Sequence, residues 1–286
     1  MLGSHRATLA DIAVGGNAPV VVIGALNVSP ESFYGGSVHS RPDQLLTAAL
    51  AMVEAGAAII DVGARSTAPY RATGLPLDVE RARLVHAVET LAAKLSVPVS
   101  ADTTSAAVAE AALESGARIV NDVSGLGDPA MARVAERHGA SVLLMAHPST
   151  AATPRSGEPI AIVRATLGAV LERARAAGIP DARVVLDPGI GFFRDEAWPW
   201  PAWDLHVLGN LAALHELGRP LAVGVSRKSF IGAVTGRAEP AERLAGSLAA
   251  AVMAVSRGAA AIRTHDVAET IDAVRMAERV TEAARS

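Results

Sequence analysis

Asp102, Asn121 and Asp187 each sit at or near the end of a short run of small or β-branched apolar residues, and Lys228 lies just beyond a fourth such run. Two carboxylates and an amide gathered in an apolar mouth cost several kcal/mol unless they find partners, and a donor-rich ligand is one such partner. The set could accept from and donate to an amino-pyrimidinone edge, with the Lys228 ammonium meeting a ring carbonyl oxygen. Taken singly, each residue reads more readily as a hydrogen-bonded strand-end side chain; the four together carry the functional reading.

A second chemistry is anion binding. Val225-Ser226-Arg227-Lys228-Ser229-Phe230 places two cations beside two hydroxyls after an apolar run, and Arg263-Thr264-His265-Asp266 repeats the combination nearer the C-terminus. Backbone N–H groups at helix starts strengthen such a site. Asn27-Val28-Ser29-Pro30 adds neutral oxygens, where a hard cation such as Mg²⁺ could bind with phosphate oxygens completing its shell. Cysteine is absent, which removes thiolate zinc sites and disulfide scaffolds. There is no HExxH pair and no Walker lysine loop, and Gly189-Ile190-Gly191 lacks the spacing of a dinucleotide fingerprint. Ser226, His265 and Asp187 could form a nucleophilic triad by residue type alone.

The elements that must position these groups recur along the chain. From Pro19 onward, short Val-, Ile- and Ala-rich runs alternate eight times with longer stretches of helical apolar spacing. The strands are expected at 20–27, 57–63, 98–102, 118–123, 141–146, 183–187, 221–226 and 260–265. Helices are expected at 45–54, 79–95, 106–114, 129–137, 160–177, 204–217, 241–257 and 268–283, several of them closed by glycines such as Gly56, Gly116 and Gly178. Eight strand–helix units fit a (β/α)8 TIM barrel spanning 19–286 as a single domain, preceded by an N-terminal arm, 1–18. A doubly wound open sheet remains the alternative, because periodicity does not reveal closure. In a barrel the chemistry sits on the loops that follow the strands, and the loops after the seventh and eighth are the usual anion site. All the aromatic residues, from Phe33, Tyr34 and Tyr70 to Phe192, Phe193, Trp198, Trp200, Trp203 and Phe230, fall after strand ends, where flat rings could stack on a planar ligand.

With 286 residues and a formal charge of −3, the chain lacks the broad basic field that nucleic acid would require. No run of eighteen apolar residues suggests a membrane span, and no apolar stretch of signal-peptide length opens the chain. A reducing, cytoplasmic setting is the expectation.

The motifs resemble the dihydropteroate synthase family of pterin-binding barrels, from about Val20 to Val280. The resemblance rests on 25–33 (ALNVSPESF), Asp102-Thr103-Thr104, Asn121-Asp122-Val123-Ser124-Gly125, 187–192 (DPGIGF), 224–232 (GVSRKSFIG) and Arg263-Thr264-His265-Asp266-Val267. It implies condensation of 6-hydroxymethyl-7,8-dihydropterin diphosphate with an arylamine, releasing diphosphate, by a homodimer that uses Mg²⁺. By the same resemblance Asp102, Asn121, Asp187 and Lys228 would hold the pterin. Asp102, Asp187 and Lys228 would also serve catalysis. Asn27 would bind Mg²⁺ and diphosphate, Arg263 and His265 the leaving anion, and Thr67 and Ser229 the amine.

Two segments depart from the usual folate-pathway pattern. The second loop reads Gly63-Ala64-Arg65-Ser66-Thr67-Ala68-Pro69-Tyr70, without an arginine at Ala68, which Arg65 or Arg71 could replace. The fifth strand ends Met145-Ala146-His147. With the tryptophan-rich sixth loop, these features are similar to the branch associated with tetrahydromethanopterin synthesis, which implies a ribofuranosyl-aminobenzene phosphate as acceptor in place of 4-aminobenzoate. A pterin-dependent methyltransferase and a non-catalytic pterin-binding protein are the competing readings.

Overall fold

A computed structural model describes residues 5–29, 42–65, 75–150, 157–194 and 198–284. Eight parallel strands close into a barrel: β3 (Val21–Asn27), β4 (Ile59–Gly63), β5 (Val99–Asp102), β6 (Ile119–Asp122), β7 (Ser141–Met145), β8 (Val184–Asp187), β9 (Leu221–Gly224) and β10 (Ala259–Thr264), with β10 pairing back onto β3. The open-sheet alternative is thereby excluded. Strands β4 to β9 are buried at every residue, which is why they read as near-continuous apolar runs without alternation.

The helices lie outside: α1 (Pro42–Glu54), α2 (Leu77–Ala92), α3 (Ala106–Glu114), α4 (Met131–Arg137), α5 (Pro159–Ala176), α6 (Ala202–Gly209), α7 (Ser229–Thr235), α8 (Leu244–Ser256) and α9 (Val267–Ala283). Each longer helix turns an apolar stripe inward, as Leu84, Val88 and Leu91 do on α2 and Val163, Leu167 and Val170 on α5. The helix expected at 204–217 divides into α6 and a 3₁₀ segment, Leu211–Leu217, separated at Asn210. Helix α7, too short to stand out as a periodic stretch, is an addition to the eight expected.

The two strand faces have different tasks. Val22, Ile60, Val62, Val120, Val142, Leu144, Leu186 and Val223 join the layer under the helices. Val21, Ile23, Ile59, Ile119, Leu143, Val185, Ala222 and Ala261 form a second cluster in the barrel interior. The segment before Pro19 completes that cluster: β1 (Arg6–Leu9) and β2 (Ile12–Gly15) form an antiparallel hairpin, and its Ala7, Leu9 and Val14 are buried against the interior residues. The segment expected as an arm is therefore a plug at the N-terminal end of the barrel. Ala10 N–H donates to Ser141 Oγ at 3.0 Å, and Arg118 clasps Asp11 at 2.5 and 3.0 Å.

Candidate active site

Side chains alternate between the two faces of a strand, so the residue two places beyond an inward one also points inward, one layer nearer the C-terminal mouth. That step leads from Ile59 to Asp61, from Ser100 to Asp102, from Ile119 to Asn121, from Val185 to Asp187 and from Ala261 to Arg263. The barrel interior is thus apolar below and polar above. Side-chain bonds confirm the convergence. Asn121 Nδ2 donates to Asp61 Oδ2 at 2.9 Å, Arg263 Nε donates to the same oxygen at 2.6 Å, and Arg263 Nη2 donates to Asp102 Oδ2 at 2.9 Å.

Asp61 and Asp102 each keep one buried carboxylate oxygen without a hydrogen-bond partner among the described residues. Buried acceptors in that condition are costly, and a ligand that donates two N–H groups would satisfy both. Burial pushes the Asp102 carboxyl up to about 7; the Arg263 guanidinium opposes the shift, and Asp61, Asp122 and Glu80 add to it. Burial also raises Asp187, against the pull of Lys228, the Gly189 N–H and Arg263. The Lys228 ammonium is lowered by burial, with Asp187 and Asp204 working the other way.

The loop after β8 brings Lys228 to this cluster. Gly189 has φ +71°, and a Cβ there would lie 2.1 Å from Ala146 O. Gly191, at φ +90°, would place a Cβ 3.0 Å from the Lys228 chain. Only glycine permits this backbone, which lets Gly189 N–H donate to Asp187 Oδ1 at 2.7 Å and Lys228 Nζ donate to Ile190 O. The Lys228 ammonium also lies 5.1 Å from the centre of the Phe192 ring.

The two loops expected to bind an anion divide their cations. Arg227 does not face the mouth. It is buried at φ +56°, donates through Nε and Nη2 to Asp266 at 2.9 and 2.6 Å, and through Nη1 to the carbonyls of Pro240 and Ala241 at 2.9 and 2.7 Å. It is a strut that ties the loop after β9 to the loop after β10. Ser226 Oγ and His265 Nδ1, 3.0 Å apart, make a second tie. His265 is lowered to about 3, first by burial and then by Arg263, Arg227 and Lys228. Arg263, expected at the anion, is committed in this structure to Asp61 and Asp102. Burial alone would lower its basicity, but those two carboxylates raise it.

Asn27 ends β3, on the inward parity of Ile23 and Ala25, and pairs in register with Gly63. Its amide oxygen is the hard, neutral kind of donor that Mg²⁺ takes when phosphates and waters complete the octahedron, so the donor type fits. Another constellation with metal-ligand spacing, Glu110, Glu114 and His138, lies on α3 and at the end of α4, outside the barrel, where Glu110 already pairs with Arg137. Ser229 opens α7 directly beside Lys228. Thr67, Tyr70 and Arg71 lie outside the described residues. Arg65 reaches Glu80 at 3.6 Å, and Glu80 in turn accepts from Thr103 Oγ1 at 2.7 Å.

Three residues of the mouth were given no role from the sequence. Asp61 had a signal, a lone carboxylate inside Ile59-Ile60-Asp61-Val62-Gly63. Arg194 and Asp204 had none: an acid in the first turn of a helix is ordinary, and only the tertiary fold brings Asp204 Oδ1 to the Gly191 N–H at 2.7 Å.

The family described as pterin binding enzyme matches residues 23–265. A dihydropteroate synthase of Mycobacterium leprae is 40% identical over 270 residues, 91% of this chain and 93% of the relative. That of Escherichia coli is 38% identical over 261 residues, 90% of each. Among solved structures, a Yersinia pestis dihydropteroate synthase with a sulfonamide drug superposes with a TM-score of 0.86 at 35% identity, covering 97% of this chain and 99% of that one. A Xanthomonas albilineans dihydropteroate synthase with 4-aminobenzoic acid does so at 0.85 and 36%, covering 96% and 98%. On sequence and fold alike, the chain belongs to the pterin-binding enzyme family, among the dihydropteroate synthases.

Proposed function

We propose that the protein is a transferase that condenses 6-hydroxymethyl-7,8-dihydropterin diphosphate with an arylamine and releases diphosphate. The observation that carries this reading is the inward polar layer of Asp61, Asp102, Asn121, Asp187 and Arg263 beneath Lys228, with two buried carboxylate oxygens left to accept from a ligand. Relatives named dihydropteroate synthase over nine-tenths of the chain support it over a methyltransferase or a non-catalytic binder.

In the proposed reaction the methylene C–O bond breaks and its electron pair leaves with the diphosphate. The arylamine nitrogen then bonds to the methylene carbon and gives up a proton. Asp102 and Asp187 accept from the amino-pyrimidinone edge and stabilise positive charge spreading into the ring. Lys228 meets the ring carbonyl, and His265 and the backbone amides at the start of α7 meet the departing anion. Electrostatic help preorganised in a dry mouth is the largest contribution such a site can make. Asn27 would hold Mg²⁺, which when bound neutralises diphosphate charge.

The leading acceptor is 4-aminobenzoate, supported by the Xanthomonas albilineans structure that carries it. The ribofuranosyl-aminobenzene phosphate, and with it the tetrahydromethanopterin branch, rests on Arg65, Arg71 and Tyr70. Arg65 is engaged by Glu80, so this acceptor takes second place. We further propose a homodimer, for which exposed Val234, Met253, Met276 and Val280 on α7 to α9 offer apolar surface, and a cytoplasmic location; no helix among the described residues is long and apolar enough to cross a membrane. The test is diphosphate release with each amine in turn, compared as kcat/KM. A higher value for the ribosyl phosphate would reverse the order of acceptors, and no release with either would remove the transferase reading.

A further inference from the structure

Beyond the pterin layer, the mouth holds a cation that belongs to none of the motifs described above. Arg194 follows Phe193 in the loop after β8, and its guanidinium carbon lies 4.3 Å from the centre of the Trp200 ring. Its Nη1 donates to Phe193 O at 3.0 Å, and its Nη2 donates to Ser229 Oγ at 3.4 Å. Behind it stands Asp204, wholly buried. Asp204 Oδ1 is taken by the Gly191 N–H at 2.7 Å, while Oδ2 has no hydrogen bond among the described residues and lies 3.8 Å from Arg194 Nη1.

At 3.8 Å, Arg194 pairs with Asp204 by charge without a hydrogen bond to it. Arg227 closes onto Asp266 and Arg263 onto Asp61, both at 2.6 Å, whereas Arg65 stands 3.6 Å from the buried Glu80. Arg194 holds back from Asp204 and turns toward Ser229 instead. A guanidinium carries five N–H donors, and only two are used by the bonds just described. With 30% of its side chain exposed, it presents the remainder at the rim. Stacking on an indole and a fixed carboxylate behind it pre-organise that fork, so less freedom is lost when it binds an anion.

We propose that Arg194 determines acceptor specificity by pairing with the acidic group of the incoming arylamine, a ring carboxylate or a phosphate monoester, with Asp204 as the positioning residue and Trp200 as the platform. The proposal rests on the transferase reading above. It assigns the acid-recognising cation to the sixth loop and so frees the second loop from that task.

Initial-rate measurements with one pterin diphosphate and three acceptors test it: 4-aminobenzoate, its uncharged analogue 4-aminobenzamide, and the ribosyl aniline phosphate. Arg194→Ala should lower kcat/KM for the charged acceptors roughly tenfold or more, mainly through KM, as expected for losing a charge-assisted bond. The amide and the KM for pterin diphosphate should stay within about twofold. Arg194→Lys keeps the charge without the planar fork and should retain part of the preference, and Asp204→Asn should erode it in the same direction. Which charged acceptor loses more identifies the group recognised. If Arg194→Ala and Arg194→Lys affect charged and neutral amines alike, or leave the preference intact, the proposal is overturned while the transferase reading stands. Absence of diphosphate release by the unaltered protein with every amine overturns the transferase reading itself and the proposal with it.

Discussion

Arg263 on β10 and Asp61 on β4 are joined across the intervening strand β3 by a 2.6 Å hydrogen bond from Nε to Oδ2. The second arm of the guanidinium reaches Asp102 on β5, so one cation holds together a stretch of the barrel four strands wide.

Arg263→Ala should therefore damage stability as well as turnover. It strands two carboxylates that are almost fully buried, a change that typically costs about 3–5 kcal/mol. The loss should depend on pH. A carboxyl whose folded pKa lies above its ordinary value binds its proton more tightly in the fold. Its contribution to stability is fullest below the ordinary value of 3.8 and is lost as pH rises through about 7. Removing the cation that holds Asp102 down moves this window higher still. Thermal unfolding should show a larger deficit at pH 8 than at pH 5; an equal deficit at both would mean that Arg263 does not govern Asp102.

Asp187→Asn keeps an acceptor oxygen but loses the charge beside Lys228. A hydrogen bond to a charged group is worth about 1.5–3 kcal/mol, so pterin affinity should fall roughly ten- to hundredfold. Calorimetry with a pterin lacking the diphosphate measures this directly, and unchanged affinity would take Asp187 out of the pocket.

Leu9→Ala addresses the hairpin plug. Leu9 is fully buried in the barrel interior, and emptying such a site costs about 2–5 kcal/mol. Because the plug lies at the end opposite the mouth, denaturant unfolding should register the loss while calorimetric pterin affinity stays the same. A parallel loss of affinity would show that the interior transmits strain along the barrel axis.

Arg227 holds the loops after β9 and β10 in register through Asp266, at a positive φ that a branched or bulky residue rarely adopts. Arg227→Lys should fail to restore what Arg227→Ala loses, because a lysine cannot reproduce the two-pronged contact. We expect kcat/KM to fall roughly tenfold or more in both, in line with loss of a charge-assisted pair. Full activity in the lysine variant would reduce Arg227 to a simple counter-charge.

Much of this architecture was legible in the chain. The eight barrel strands lie within a residue or two of their expected positions because doubly buried strands read as unbroken apolar runs, and Asp102, Asn121, Asp187 and Lys228 stood out as polar ends of those runs. What escaped was of two kinds. The hairpin of Arg6–Leu9 and Ile12–Gly15 has strands of four residues each, too short to rise above the surrounding polar residues, and its apolar side chains gain meaning only inside the barrel. Pairing between distant loops escaped as well. The sequence places Arg227 beside Lys228 as a second cation for an anion, and only the fold reveals Asp266 as its partner. Asp204 and Arg194 likewise come together only because the first turn of α6 brings Asp204 to the Gly191 N–H.

The most direct test of the account is the product. Incubating the protein with 6-hydroxymethyl-7,8-dihydropterin diphosphate, 4-aminobenzoate and magnesium should yield one dihydropteroate for each diphosphate released, with mass spectrometry and phosphate analysis agreeing. Tight pterin binding with the pterin diphosphate recovered intact, across both the benzoate and the ribosyl phosphate acceptors, would contradict it.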